Sequence, residues 1–141
     1  SAEEAVRGSD LIGTVTTAAQ PLFDAAWLEP GVHINAAGSN SLIRQELSES
    51  AIRRCDLVTV DSLPTALAEA GDLLPLLEKG RLHSRQLVEL GEVVVGRHAG
   101  RGAAGQITLF ESQGMAIQDL AVALRVLAAA ESLGIGSEMP M

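Results

Sequence analysis

Aromatic residues are nearly missing from this sequence. They make up 2% of its 141 residues, namely Phe23, Trp27 and Phe110, and there is no tyrosine. A surface that stacks nucleic-acid bases needs exposed aromatic faces, so that class of partner is disfavoured. Basic charge is scarce as well. Ten basic residues against eighteen acidic ones leave a formal charge of −8 and a pI near 4.7. Lys79 is the sole lysine, and the longest basic run is Arg53-Arg54. Such a chain is repelled by phosphate backbones and by anionic lipid surfaces. A single cysteine, Cys55, excludes an internal disulfide and any multi-cysteine zinc site, and it fits a reduced, cytoplasmic setting. The three histidines, His33, His83 and His98, are scattered without ligand spacing, so no metal site is expected. No run of 18 apolar residues exists from which a membrane span could be read.

What is present is aliphatic. Hydrophobic residues account for 47% and charged residues for 20%, the balance of a chain that packs a core. Residues 11–16, 32–36, 56–61 and 107–110 are short apolar or β-branched runs and read as buried strands. Residues 2–7, 48–54, 62–70 and 73–78 read as helices, with Ser62 as cap and Pro64 in the first turn of the third. Ser84 is expected to cap a further helical turn over 85–90. Ile117, Leu120, Ala121, Leu124, Leu127 and Ala128 fall at helical spacing, so a long last helix is expected, ended by Gly134 and Gly136. Residues 133–141 read as a frayed end or a segment packed on a partner. Strands alternating with helices predict an α/β fold: a parallel sheet of about four strands, covered by helices on both faces, with a long C-terminal helix.

In open α/β sheets, ligands bind beyond the carboxyl ends of the strands. Three such ends carry small or hydroxyl-bearing residues here: 14–17, 35–40 and 112–114. Small side chains admit a cofactor to the backbone, although tight turns alone would have the same composition. No G-x-G-x-x-G stands where the dinucleotide fingerprint needs it, and the spacing occurs once, over residues 100–105. The four glycines of 96–105 precede a strand instead of following one, which is the wrong context for a phosphate turn. Ser39, His33 and Asp61 could be written as a hydrolytic triad, but no nucleophile-elbow pattern supports it. Cys55 reads as a small core residue. Asp61 could bind a ribose hydroxyl or cap the Pro64 helix, and capping is the commoner role.

Four segments together resemble the ornithine cyclodeaminase/mu-crystallin family, in the family's order: residues 10–16 (DLIGTVT), 27–40 (WLEPGVHINAAGSN), 60–62 with 69–73 (VDS and EAGDL), and 107–120 (ITLFESQGMAIQDL). The resemblance implies a partial Rossmann-type NAD(P)-binding domain. The whole of 1–141 would be one domain, matching the second half of that unit, without the family's N-terminal substrate and dimerisation domain and without its glycine-rich first strand-turn. It implies hydride exchange at a carbon bearing an amino or imino group, with NAD or NADP as cofactor and an amino acid or cyclic imine as substrate. With the phosphate turn missing, the cofactor is expected to bind this chain alone weakly or not at all. The alternative is a truncated, non-catalytic relative serving as a binding or oligomerising module.

Residue by residue, the resemblance places Thr14 and Thr16 along the cofactor, and Ala37, Gly38 and Ser39 in the turn beside the nicotinamide. Arg44 falls at a position where a basic residue often lies near the cofactor. Ser112 is cofactor-contacting and Gln113 substrate-facing. Asn40 stands where ornithine cyclodeaminases place a catalytic aspartate. An amide can orient a substrate but cannot act as a general acid or base near pH 7, so Asn40 disfavours cyclodeamination more than reduction. The first strand would normally pair with the absent one, so its apolar edge is expected to drive a homodimer or higher oligomer.

Overall fold

The computed structural model describes residues 1–137 and 139. Five strands form one all-parallel sheet: β1 (Leu11–Thr14), β2 (His33–Ala36), β3 (Leu57–Val60), β4 (Leu87–Glu89) and β5 (Thr108–Glu111). Their order across the sheet is β1-β2-β5-β3-β4. The register sets Thr14 beside Ala36, Ala36 beside Glu111, and Glu111 beside Val60. These four residues end their strands, so four carboxyl ends finish level at one rim of the sheet.

The helices are α1 (Ala2–Val6), α2 (Glu49–Arg53), α3 (Leu63–Glu69), α4 (Leu74–Glu78), α5 (Leu90–Val94) and α6 (Ala116–Leu133). Local chemistry accounts for their starts. Ser48 Oγ accepts from Ala51 N at 3.1 Å to cap α2, and Ser62 Oγ accepts from Thr65 N at 3.4 Å to cap α3. Gly134, at φ 64°, closes α6 in the left-handed conformation that a side chain would resist. Of the tail expected to fray or dock, Glu138, Pro140 and Met141 lie outside the described residues.

Two expectations need correction. Residues 85–90 are not a helical turn capped by Ser84. Ser84–Gln86 is a 3-10 turn, and Leu87–Glu89 is a fifth strand that pairs with the free edge of β3. A three-residue strand has too little alternation to register in a sequence. Leu87 is held there because it is buried next to Val58 on the core side of the sheet.

The sheet is also not covered evenly. On one face Ile12, Ile34, Val58, Val60 and Leu109 are buried among Ile52, Leu73 and Leu76, and the main core sits here. On the other face α5 and the loop around Arg101 cover only part of the surface. Leu11 and Gly13 are exposed there, and His33, Asn35 and Phe110 are half-buried. The long helix α6 buries none of its residues, and Ile117, Leu120, Leu124 and Leu127 all lie open. Among the described residues no helix is long and apolar enough to cross a membrane.

Candidate functional site

A parallel sheet turns every strand in the same direction, so the segments that leave β1, β2, β3 and β5 emerge together. Two hydrogen bonds close the ladder at this rim. Ala37 N donates to Thr14 O at 2.9 Å, and Ser112 N donates to Ala36 O at 2.8 Å. Beyond them the chains part at the ends of β1 and β2. Thr14 is buried there, while Thr16 and Ala37 are exposed. Gly38 and Ser39 are buried behind Ala37.

Asn40 and Arg44 meet at the outer side, where Arg44 Nη1 donates to Asn40 Oδ1 at 3.1 Å. With its oxygen engaged, the Asn40 amide is left to present its two N–H donors. Ser112 and Gln113 follow β5. The Ser112 hydroxyl donates to Asp61 at 2.9 Å, and Gln113 Nε2 donates to Glu111 at 3.3 Å. All nine residues singled out by the resemblance therefore lie on the segments at this one rim.

Asp61 does a different job from the one expected. Ser62 caps α3, whereas Asp61 Oδ2 also accepts the backbone N–H groups of Gln113 and Gly114 at 3.0 and 2.7 Å. It ties the end of β3 to the loop after β5. The paper triad dissolves as well. His33 bonds Thr108 at 2.7 Å and Asn35 at 3.2 Å, Ser39 donates to Glu111, and Asp61 is committed to the loop. Cys55 donates to Ala51 O at 3.4 Å against the core. Burial, with a smaller push from Asp56, raises its thiol to about 12.

Behind this rim lies a feature that composition and motif spacing did not reveal: three fully buried carboxyl groups, Glu46, Asp72 and Glu111. Asp72 Oδ1 accepts from Glu46 N at 2.8 Å and Leu47 N at 3.0 Å. Glu46 in turn accepts from Thr16 N at 2.5 Å and Gly38 N at 2.8 Å. Burial raises the Asp72 carboxyl to about 6; its bonds from Leu47 and Glu46 N–H oppose the rise and the Glu46 charge adds to it. Burial, followed by the charge of Asp72, pushes Glu111 well above the usual carboxyl range. The only signal in the sequence was an acidic residue set among small or apolar neighbours, as in Gly71-Asp72-Leu73.

Four buried side-chain atoms near this rim, Thr14 Oγ1, Asp72 Oδ2, Glu111 Oε2 and Gln113 Oε1, have no hydrogen-bond partner among the described residues. Buried polar atoms are nearly always satisfied, so these four are exceptions clustered in one place. A cavity of about 230 Å3 lies at the opposite ends of the strands among Ile52, Cys55, Asp56 and Leu76.

The model of the ornithine cyclodeaminase/mu-crystallin family matches residues 1–133. The chain belongs to that family. It is 38% identical over 140 residues to the Delta(1)-pyrroline-2-carboxylate reductase of Bacillus cereus, covering 99% of this chain and 43% of that one. Among solved structures it resembles the Thermococcus litoralis Delta(1)-pyrroline-2-carboxylate reductase in complex with NADH and L-proline. The TM-score is 0.88 at 34% identity, over 99% of this chain and 43% of that one. An archaeal alanine dehydrogenase dimer with bound NAD matches at TM-score 0.85 and 36% identity, over 100% of this chain and 43% of that chain. The chain thus spans less than half the length of these relatives. The fold is Rossmann-like, as the resemblance implied, with five parallel strands.

Proposed function

We propose that this chain forms one side of an NAD(P) site in an oxidoreductase acting on an amino acid or a cyclic imine. The observation that carries this reading is the convergence of Thr14, Thr16, Ala37, Gly38, Ser39 and Ser112 at one rim of the sheet, where Thr14 Oγ1 and Gln113 Oε1 are buried without a hydrogen-bond partner among the described residues. The nicotinamide supplies hydride chemistry when bound. This chain's own residues bind and orient. Thr14 and Thr16 line the cofactor, residues 37–39 form the turn beside the nicotinamide, and Arg44 adds a positive charge at the outer side. Ser112 contacts the cofactor, and Gln113 faces the substrate.

The amide donors of Asn40 suit a substrate carboxylate or an imine nitrogen. Asn40 has no proton to exchange near pH 7, which favours reduction over cyclodeamination. Residues 1–141 act as one domain corresponding to the later part of the family's cofactor unit. The open edge of β1 favours a homodimer or higher oligomer, because unpaired strand edges recruit further chains.

Calorimetric titration with NADH and with NADPH, followed in parallel by Trp27 fluorescence, tests the reading. Saturable binding at micromolar cofactor supports it. No binding at millimolar cofactor overturns a cofactor role for this chain and leaves the non-catalytic, oligomerising relative as the surviving reading.

A further inference from the structure

We infer that Glu46 is the positioning residue of this rim: its buried side chain stands between the ends of β1 and β2 and sets the spacing of the two loops that leave them. The inference rests on the cofactor reading above for what that ligand is.

The geometry is specific. After the Ala37 N to Thr14 O bond the β1–β2 ladder stops, and the next two amides turn to one carboxylate. Oε1 accepts from Thr16 N at 2.5 Å and Oε2 accepts from Gly38 N at 2.8 Å. A side chain inserted between the strand ends keeps them from closing into further ladder. The strands part there around the fully buried Glu46 side chain.

The residue types on either side are matched to this role. A Cβ on Gly38 would stand 2.4 Å from Glu46 Cδ and 2.4 Å from Thr16 O, so only glycine lets the three segments come this close. Glu46 is itself held on three sides. Asp72 takes its N–H, its carbonyl accepts from Leu22 N at 2.8 Å, and Gln45 N beside it donates to Ala18 O at 2.9 Å. Only a glutamate meets the demand. Glutamine would set one NH2 group against an N–H, and aspartate is one methylene too short to serve both loops. Glu46 touches neither cofactor nor substrate, so it acts through Thr16 and Gly38.

The test uses the whole chain, labelled with 15N, as wild type, E46Q and E46D. In the wild type the amide protons of Thr16 and Gly38 are expected far downfield, as donors to a charged acceptor. Both should move upfield in E46Q. E46Q and E46D should each weaken NADH binding roughly tenfold or more, the scale of loosening a ligand site by about an ångström. Ile52→Val, on the buried face of α2, controls for lost stability and should leave NADH affinity within about twofold.

Ordinary amide positions for Thr16 and Gly38 in the wild type would overturn the inference. So would unchanged NADH affinity in E46Q. If the wild type binds no NADH, the cofactor reading fails on its own. Backbone relaxation over 15–18 and 37–40 then decides for Glu46: loosening in E46Q supports its role, and unchanged order overturns it.

Discussion

Asp61 Oδ2 lies 2.7 Å from the amide nitrogen of Gly114, across 53 positions of chain. The same oxygen accepts from Gln113 N and the Ser112 hydroxyl. One carboxylate thereby fastens the loop after β5 to the end of β3 and sets Ser112 and Gln113 on the rim. Asp61→Ala is expected to remove the acceptor of four donors, Ser62 N, the Ser112 hydroxyl, Gln113 N and Gly114 N, at a cost of about 2–4 kcal/mol. Urea unfolding of the variant against wild type measures it. Hydrogen exchange at Gln113 and Gly114 should accelerate more than at Ile34 in the core.

Stability should fall as pH rises from about 4 to 7. The Asp72 carboxyl binds its proton more tightly in the fold, at about 6, than at its ordinary value of 3.8. Its favourable contribution is therefore complete below about 3.8 and is lost as pH rises through about 6. The difference corresponds to on the order of 3 kcal/mol. Glu111 is shifted in the same direction. Glu49 and Glu92 are shifted down by Arg81 and Arg97, but they lie at the exposed surface and weigh little against the buried pair. Urea midpoints measured between pH 4.5 and 7.5 should decline, and Asp72→Asn should flatten the decline. A midpoint that rises over this range would refute the assignment.

Gly71 and Gly91 should respond to alanine with opposite signs. A Cβ on Gly71 would lie 2.0 Å from Arg44 O and 2.5 Å from Ser41 O, both backbone atoms. Overpacking of that kind costs about 1–3 kcal/mol or more, so Gly71→Ala should be strongly destabilising. Gly91 sits inside α5 with nothing within 4 Å of an added Cβ. Gly91→Ala should stabilise by about 0.5–1 kcal/mol, since alanine loses less backbone freedom in a helix. Thermal unfolding of the two variants gives both signs.

The open edge of β1 offers a direct test of self-association. Leu11 and Val15 are 62% and 77% exposed along it. Lysine on an edge strand opposes pairing with a second chain. If the proposed edge pairing holds, light scattering of L11K and V15K should show a smaller species than the wild type. A monomeric wild type or an unchanged mass in the variants would refute pairing through this edge.

Much of the sheet was legible in advance because its strands are short aliphatic runs. Residues 32–36 alternate apolar Val32, Ile34 and Ala36 with polar His33 and Asn35, the period of a strand, and small residues follow. β4 was not legible. Leu87-Val88-Glu89 has no pattern of its own and becomes a strand only because β3 offers a free edge. The role of Asp61 was misjudged for a related reason: its neighbour Ser62 satisfies the same local need for a cap, and the loop that claims Asp61 lies far away in sequence. Local rules see competition between neighbours but not distant partners.

The sequence by itself determined the aliphatic core, the alternation of strands and helices, the caps, the family, and which small and hydroxyl-bearing residues end the strands. Those properties depend on a residue and its near neighbours. Tertiary structure alone decided that Glu46, Asp72 and Glu111 share one buried volume, that one face of the sheet and all of α6 stand uncovered, and that the ends of β1 and β2 are parted by a carboxylate. Contacts over 26 to 72 positions of chain create these relations, and the cost of burying charge makes them matter.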